Sequence, residues 1–99
     1  AVTIMSAYLI LDVDIHDPVK YKEYMLKAKP LVEKYGGIYH VRGGSFEVMD
    51  GDWQPTRLVV IEFPDMETAK AMYTGEEYAP IKAIRHSCST GHTVIVDGQ

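Results

Sequence analysis

Residues 8–15, with the sequence YLILDVDI, alternate between two kinds of side chain. Alternation with a period of two is typical of a strand whose two faces meet different surroundings. One face carries Leu9, Leu11, Val13 and Ile15, and the other carries Tyr8, Ile10, Asp12 and Asp14. The pattern therefore predicts a strand with one apolar face and one mixed face.

Helix signals follow this strand directly. Asp17 can cap the first free amides of a helix, and Pro18 suits the first helical position. Gly36 is a typical residue at the end of a helix. Pro30 lies inside the helical pattern and is expected to kink the helix or to split it after Lys29.

The remaining segments alternate between strand and helix patterns. They comprise a strand in two halves (38–42 and 45–49, with a bulge expected at Gly43-Gly44), a strand (56–63), two helical stretches (65–74 and 76–88) and a last strand (92–98). The order β-α-β-β-α-β predicts a ferredoxin-like α+β fold, in which helices cover one face of a four-stranded antiparallel sheet. Residues 1–99 would then form a single domain.

Such a sheet leaves its second face open. By alternation, this open face carries Tyr8, Ile10, Ile38, Leu58 and Val60 together with Asp12, His40, Arg42 and Glu62. The last strand adds either His92, Val94 and Val96 or Thr93, Ile95 and Asp97. Because a large apolar face needs a partner, we expect a homodimer that packs the two open faces together and encloses a cavity.

The charged groups on this face allow two interpretations. Arg42 is expected to pair with Glu62 or Asp12, because charges covered by a second subunit need partners. The group could anchor a small-molecule ligand, or the charges could pair with one another and only fix how the dimer fits together.

His40 is the candidate catalytic residue, since its side chain titrates nearest neutral pH and suits a general base. The alternative is a histidine packed at the subunit interface. Trp53 could stack on a flat ligand or cover the mouth of the cavity. The candidate ligand-binding residues are Arg42, Glu62, Asp12, Tyr8 and Trp53.

Composition argues against several classes of function. The 99 residues are 46% hydrophobic and carry a net charge of −4, which disfavours nucleic acid as a partner. No apolar run approaches the roughly 20 residues of a membrane span, and no secretory signal is apparent. Cys88 is the one cysteine and is expected to be a buried thiol in a cytoplasmic protein. The four histidines lack metal-ligand spacing, so we expect no metal and no cofactor.

Several stretches resemble the family called domain of unknown function 1330. They are DPVKYKEY, YGGIYHVRGG, DGDWQPTRLVVIEFPDMETAKAMYTGEEY and IKAIRH, within a resemblance from about Tyr8 to Gly98. The resemblance implies a dimeric α+β barrel, in which two ferredoxin-like sheets pack face to face, and it implies no assigned activity. Similar folds include antibiotic-biosynthesis monooxygenases and muconolactone isomerases. Met72-Tyr73 stands where the family more often has Trp-Tyr.

Two functions therefore remain open. The first is a small, cofactor-free homodimeric domain with a small-molecule-binding or structural role. The alternative is a cofactor-independent isomerase or monooxygenase-like enzyme, in which His40 is the base and Arg42 and Glu62 orient a small acidic or aromatic substrate between the sheets. An accessory subunit of another protein would leave no signature in the sequence.

Overall fold

The computed structural model describes residues 6–99, in which four strands form one antiparallel sheet with helices on one of its faces. The elements are β1 (Ala7–Ile15), α1 (Pro18–Lys34), β2 (Ile38–Arg42), β3 (Leu58–Phe63), α2 (Met66–Thr74), α3 (Ala79–Cys88) and β4 (Ser89–Asp97). The strands lie in the order β2-β3-β1-β4. This arrangement confirms the predicted ferredoxin-like order, with the second helical region in two pieces.

The ends of α1 follow from local chemistry. The Asp17 side chain accepts hydrogen bonds from the backbone amides of Val19 and Lys20, each at 3.1 Å. Gly36 turns the chain after the helix with a φ of 78°, a conformation that glycine adopts without steric cost. Both predictions for the helix ends are confirmed. The helix continues through Pro30 without the split that was one of two expectations at this position.

The core lies between the sheet and the helices. Alternate residues of β1 and β3 are buried there, as their alternation predicts, and they meet the apolar face of α1. The buried side chains of these elements are Leu9, Leu11, Val13, Tyr21, Tyr24, Ala28, Leu31, Val32, Val59, Ile61 and Phe63. Burying one such large side chain contributes about 1.5–3 kcal/mol. Cys88 is also buried, as predicted, and is a free thiol.

Residues 43–57 have no regular secondary structure, so the predicted strand half at 45–49 is wrong. The pairing of β2 with β3 ends at Arg42 and Val59, and the last hydrogen bond runs from the Gly43 amide to the Leu58 carbonyl at 2.8 Å. Gly43 then turns the chain with a φ of 78°. Beyond this turn the segment has no neighbouring strand to complete its backbone hydrogen bonds.

A bulge in β2 changes which side chains face the helices. Tyr39 pairs with Ile61, but Val41 pairs with Val60, so His40 is an extra residue without a partner on β3. The bulge therefore lies at His40 and not at Gly43-Gly44, where it was predicted. One extra residue reverses the faces of the positions that follow. Consequently Val41 lies on the open face, whereas strict alternation along β2 places it with Tyr39 in the core.

The register of β4 decides between the two sets that alternation left open. Tyr8 pairs with Val96 and Ile10 pairs with Val94, and both β1 residues lie on the open face. Val94 and Val96 therefore also face away from the helices, with 57% and 46% of their surface exposed.

No helix within residues 6–99 has the length and apolar character that a membrane crossing requires.

Candidate functional site

The open face of the sheet is largely apolar. Within residues 6–99, no element covers it. Its apolar side chains are Tyr8, Ile10, Ile38, Val41, Leu58, Val60, Val94 and Val96. Segment 43–57 adds Phe46, Val48, Met49 and Trp53, which line a groove that includes Leu58. Eight of the ten exposed large hydrophobic residues belong to this face or to this segment.

His40 and Glu62 form the main polar contact on the open face. Nε2 of His40 lies 2.7 Å from Oε1 of Glu62, and the Ser6 hydroxyl donates to Oε2 at 2.9 Å. The hydrogen bond from His40, followed by that from Ser6, lowers the pKa of Glu62. The Tyr8 ring lies 6.4 Å from the His40 ring. These contacts fix the orientation of the His40 imidazole beside the aromatic ring of Tyr8.

Asp12 holds segment 43–57 against the sheet. Its carboxylate accepts hydrogen bonds from Nε1 of Trp53 at 3.0 Å and from the backbone amide of Thr56 at 2.9 Å. Burial raises the pKa of Asp12, but the hydrogen bonds from Thr56 and Trp53 outweigh that effect and lower it overall. Asp12 and Trp53 are therefore partners of each other, and their contact positions the segment.

Arg42 does not join these groups. Because of the bulge, it pairs with Val59 and lies on the helix side of the sheet, so its predicted place on the open face and its predicted pairing with Glu62 or Asp12 are wrong. Its guanidinium instead lies 4.8 Å from the centre of the Tyr39 ring. Of the predicted site residues, the structure brings together His40, Glu62 and Tyr8, joins Asp12 to Trp53, and separates Arg42 from all of them.

A cavity of about 30 Å³ lies on the helix side, between α1, α3 and the sheet. Space of this size holds about two water molecules. All three arginines of the chain, Arg42, Arg57 and Arg85, line this one cavity. The tyrosines Tyr21, Tyr24, Tyr39 and Tyr78 also line it. In a chain with a net charge of −4, this is a strong local concentration of positive charge.

Arg85 lies deepest among these arginines, with only 4% of its surface exposed. Its Nη1 donates to the hydroxyl of Tyr78 at 3.2 Å, and its Nη2 donates to that of Tyr73 at 2.9 Å. The Tyr24 hydroxyl lies 2.7 Å from that of Tyr78. Burial, followed by the neighbouring Tyr24, raises the pKa of Tyr78, so its phenol is neutral. The Arg85 guanidinium is therefore buried among phenol hydroxyls, of which that of Tyr78 is neutral.

None of the three arginines forms an ion pair with a carboxylate in the described part of the chain. The ion pairs there involve Lys27, Lys29, Lys34 and His40. Arg57 lies with its guanidinium 5.5 Å from the centre of the Tyr21 ring, and its Nη2 is 3.8 Å from Sδ of Met25. For Arg85, which is buried, an unpaired charge is costly unless another group compensates it.

The cavity meets a wider groove at the protein surface. Met25, Arg42 and Arg57 line both spaces and so form the boundary between them. The groove has a volume of about 510 Å³, which is within the range of small-molecule sites. Its other lining residues are Lys22, Leu26, Lys29, Pro30 and Glu33. The groove thus combines an apolar floor with four basic side chains and one acidic side chain.

Sequence reasoning missed Arg57 and Arg85 as site residues, although a signal existed for each. Arg57 precedes Val59 by two positions, and period two places it on the helix side with the core residues of β3. Arg85 follows Ile81 by four positions and precedes Cys88 by three, which places it on the buried face of α3. The sequence pattern therefore predicts that Arg57 and Arg85 both face the core.

The fold and its two different sheet faces define a ferredoxin-like α+β protein. The sequence profile of the family Domain of unknown function (DUF1330) matches residues 6–99. The chain belongs to this family, as the sequence resemblance predicts. A search of the curated proteins finds no match to the chain.

Solved structures with the same fold come from several organisms. A protein of unknown function from Rhodopseudomonas palustris is 18% identical, with a TM-score of 0.75 over 98% of this chain and 85% of that one. SnoaB, a cofactor-independent oxygenase from Streptomyces nogalater, is 8% identical, with a TM-score of 0.69 over 98% and 95%. A candidate antibiotic biosynthesis monooxygenase from Nitrosomonas europaea is 14% identical, with a TM-score of 0.54 over 99% and 94%. At these identities the similarity concerns the fold alone.

Proposed function

We propose that this chain forms a homodimer through its open sheet face and acts as a small-molecule-binding domain of the cytoplasm. The observation that carries the homodimer is the uncovered apolar sheet, in which Ile38 and Val94 are each 57% exposed. The groove of about 510 Å³ on the helix side supports the binding of a small molecule. Large contiguous apolar surfaces mark interaction sites. A second copy supplies an apolar face of the same kind, and a two-fold axis then satisfies both faces at once.

The polar groups on this face are compatible with being covered. Glu62 is already paired with His40 and Ser6, and Asp12 with Trp53. A carboxylate that keeps its partners loses less on leaving water than one without partners. For these groups on the open face, this favours a role in fixing how the two copies fit together over a role in ligand binding.

Segment 43–57 supports the same partner. Its Met49 and Trp53 are 87% and 61% exposed, although both are large apolar side chains. Since the Asp12 contact holds the segment beside the sheet, these side chains enlarge the surface that a second copy can cover. Burying aromatic and methionine side chains is typical of protein interfaces.

A second candidate function is that of a cofactor-independent isomerase or monooxygenase-like enzyme. The observation that favours it is the 2.7 Å contact between Nε2 of His40 and Oε1 of Glu62, because a carboxylate can orient an imidazole for proton transfer. In this role His40 is the general base, with Tyr8 beside it. An enzyme would lose turnover in the His40→Ala variant while it remains a folded dimer.

Sedimentation equilibrium tests the homodimer. We expect the wild-type chain to sediment with twice the mass of one copy, and we expect Val60→Asp to sediment as a monomer because it places a charge in the middle of the apolar face. Val19→Asp is the matched control, since Val19 is 83% exposed on α1, away from this face. A monomeric wild type, or equal effects of the two substitutions, would contradict the proposal.

A further inference from the structure

The arginines of this acidic chain are concentrated at one place in the fold. The 14 acidic residues outnumber the 10 basic ones, yet the three arginines converge on the helix-side cavity. No carboxylate within residues 6–99 forms an ion pair with any of them. Guanidinium groups are the side chains that best match the geometry of a carboxylate or a phosphate.

We propose that the cavity lined by Arg42, Arg57 and Arg85, together with the groove outside it, binds a small organic anion with an apolar or aromatic body. This inference rests on the proposed small-molecule binding and adds the site and the ligand class. It does not depend on the homodimer, because the site lies on the opposite face of the sheet from the proposed interface.

The dimensions divide the ligand into a head and a body. The inner cavity of about 30 Å³ accommodates a group the size of a carboxylate, and the outer groove of about 510 Å³ accommodates the larger part. Arg42 and Arg57 lie at the boundary between the two spaces. An anionic head placed there meets both guanidinium groups, while the body lies on Met25, Leu26 and Pro30.

The two boundary arginines are positioned before any ligand arrives. The Arg42 guanidinium lies over the Tyr39 ring at 4.8 Å, and that of Arg57 lies over the Tyr21 ring at 5.5 Å. Stacking on an aromatic face leaves the edge of a guanidinium free to donate hydrogen bonds. Side chains held in this way lose less conformational freedom on binding.

The deep end of the cavity favours an anion as well. Arg85 is buried and donates hydrogen bonds to the hydroxyls of Tyr78 and Tyr73, and no carboxylate within residues 6–99 forms an ion pair with it. The low local dielectric makes the attraction between this charge and an incoming anion stronger than it is in water. The hydroxyls of Tyr24 and Tyr78 add hydrogen-bonding groups near the anion.

Isothermal titration calorimetry with benzoate, benzamide and inorganic phosphate tests the inference. Benzoate and benzamide have nearly the same shape, but only benzoate is charged. We expect benzoate to bind with a dissociation constant of roughly 1 mM or lower, and benzamide to bind at least about tenfold more weakly. Phosphate, which lacks the apolar body, is expected to bind more weakly than benzoate.

The double variant Arg42→Gln/Arg57→Gln identifies the site. We expect its affinity for benzoate to fall about tenfold or more. The control variant Lys20→Gln/Lys70→Gln loses the same charge at two exposed positions outside the cavity and the groove, and we expect it to bind benzoate like the wild type. Circular dichroism establishes that both variants are folded.

Each contrary outcome has a distinct meaning. If benzamide binds as tightly as benzoate, the chain binds small molecules but the anionic class is wrong. If both double variants lose affinity equally, the arginines do not form the site. If none of the three probes gives saturable binding to the wild type, the inference is overturned, whereas the homodimer is decided separately by the sedimentation experiment.

Discussion

Arg42 and Glu62 lie on opposite faces of the sheet, although their strands β2 and β3 are hydrogen-bonded neighbours. Glu62 contacts His40 on the open face, and Arg42 contacts Tyr39 on the helix face. The bulge at His40 causes this separation. It adds one residue to β2 before Arg42, so the Arg42 side chain lies on the face opposite to the one that alternation predicts. The sheet therefore has an apolar face with internally paired charges and a helix-side face with unpaired arginines.

This separation gives the two faces different roles in our account. The open face is suited to a second copy of the chain, and the arginine-lined cavity is suited to a ligand. Substitutions on the open face should then change dimerisation but not ligand binding, and substitutions in the cavity should change ligand binding but not dimerisation.

Replacing His40 should weaken the dimer and leave ligand binding intact. In His40→Ala, Glu62 loses its closest partner and must be covered by the second copy with only Ser6 as a hydrogen-bond donor. We expect the dimer dissociation constant to rise by about tenfold or more, measured by sedimentation equilibrium. Benzoate affinity should not change. A loss of benzoate affinity with an unchanged dimer would contradict our assignment of the two faces.

Removing the Tyr78 hydroxyl should destabilise the protein more than removing that of Tyr24. Tyr78→Phe leaves Nη1 of buried Arg85 and the Tyr24 hydroxyl without their partner, which costs about 1–3 kcal/mol. Tyr24→Phe leaves the bond between Arg85 and Tyr78 intact and costs about 0.5–1.5 kcal/mol. Urea unfolding at one protein concentration measures both. An equal loss in the two variants would show that the bond from Arg85 is unimportant for stability.

Adding a side chain at Gly43 should affect both stability and the anion site. Gly43 has a φ of 78°, and a Cβ there would lie 2.6 Å from Nε of Arg57. Gly43→Ala is therefore expected to cost about 1–2 kcal/mol in backbone strain and to displace Arg57, which reduces benzoate affinity.

Two other glycines provide matched controls for this substitution. Gly51 has a φ of 86° but open space around it, so Gly51→Ala should show the strain without the loss of affinity. Gly44 has neither feature, and Gly44→Ala should change stability by less than about 0.5 kcal/mol. Benzoate affinity that falls equally in Gly43→Ala and Gly51→Ala would mean that Arg57 does not contribute to binding.

Stability in acid should depend on Glu62 and Asp12. Hydrogen bonds from His40 and Ser6 lower the pKa of Glu62 below its ordinary value of 4.5. For Asp12, burial acts in the other direction, but the bonds from Thr56 and Trp53 lower its pKa below 3.8. A carboxylate whose pKa is lower in the folded state stabilises that state above the unfolded pKa. This stabilisation is lost as the pH falls through the folded-state pKa.

Urea unfolding between about pH 7 and about pH 3 measures this dependence. We expect the wild type to lose stability at the acid end, and we expect Glu62→Gln to lose less over the same interval because its side chain does not titrate. An identical slope in the two proteins would indicate that the contact between His40 and Glu62 is not maintained in solution.

Much of the fold could be predicted from local patterns. The apolar face of β1, the buried positions of β3 and the start of α1 at Asp17 follow from alternation and capping, which depend only on neighbouring residues. The position of the bulge could not be predicted in this way. Gly43-Gly44 has the local composition of a bulge, but the pairing between β2 and β3 places it at His40.

The extra residue in β2, His40, also determines which side chains form the candidate site. Alternation counted from Ile38 places Arg42 on the open face, and the bulge moves it to the helix face. The roles of Arg57 and Arg85 depend on contacts among α1, α3 and the sheet, which are distant in sequence and meet only in the folded chain. Their inward orientation was readable from period and spacing, but their convergence on one cavity was not.

Chemical-shift mapping by ¹H–¹⁵N NMR tests the central claim most directly, because it locates the ligand on one face or the other. Benzoate is titrated into the uniformly labelled protein, and the amide shifts are followed to saturation. If the anion binds between the sheet and the helices, the largest shifts occur at Arg42, Arg57 and the neighbouring turn of α1 around Met25. Largest shifts at Tyr8, His40 and Glu62 would contradict it and would place the ligand on the open face of the sheet.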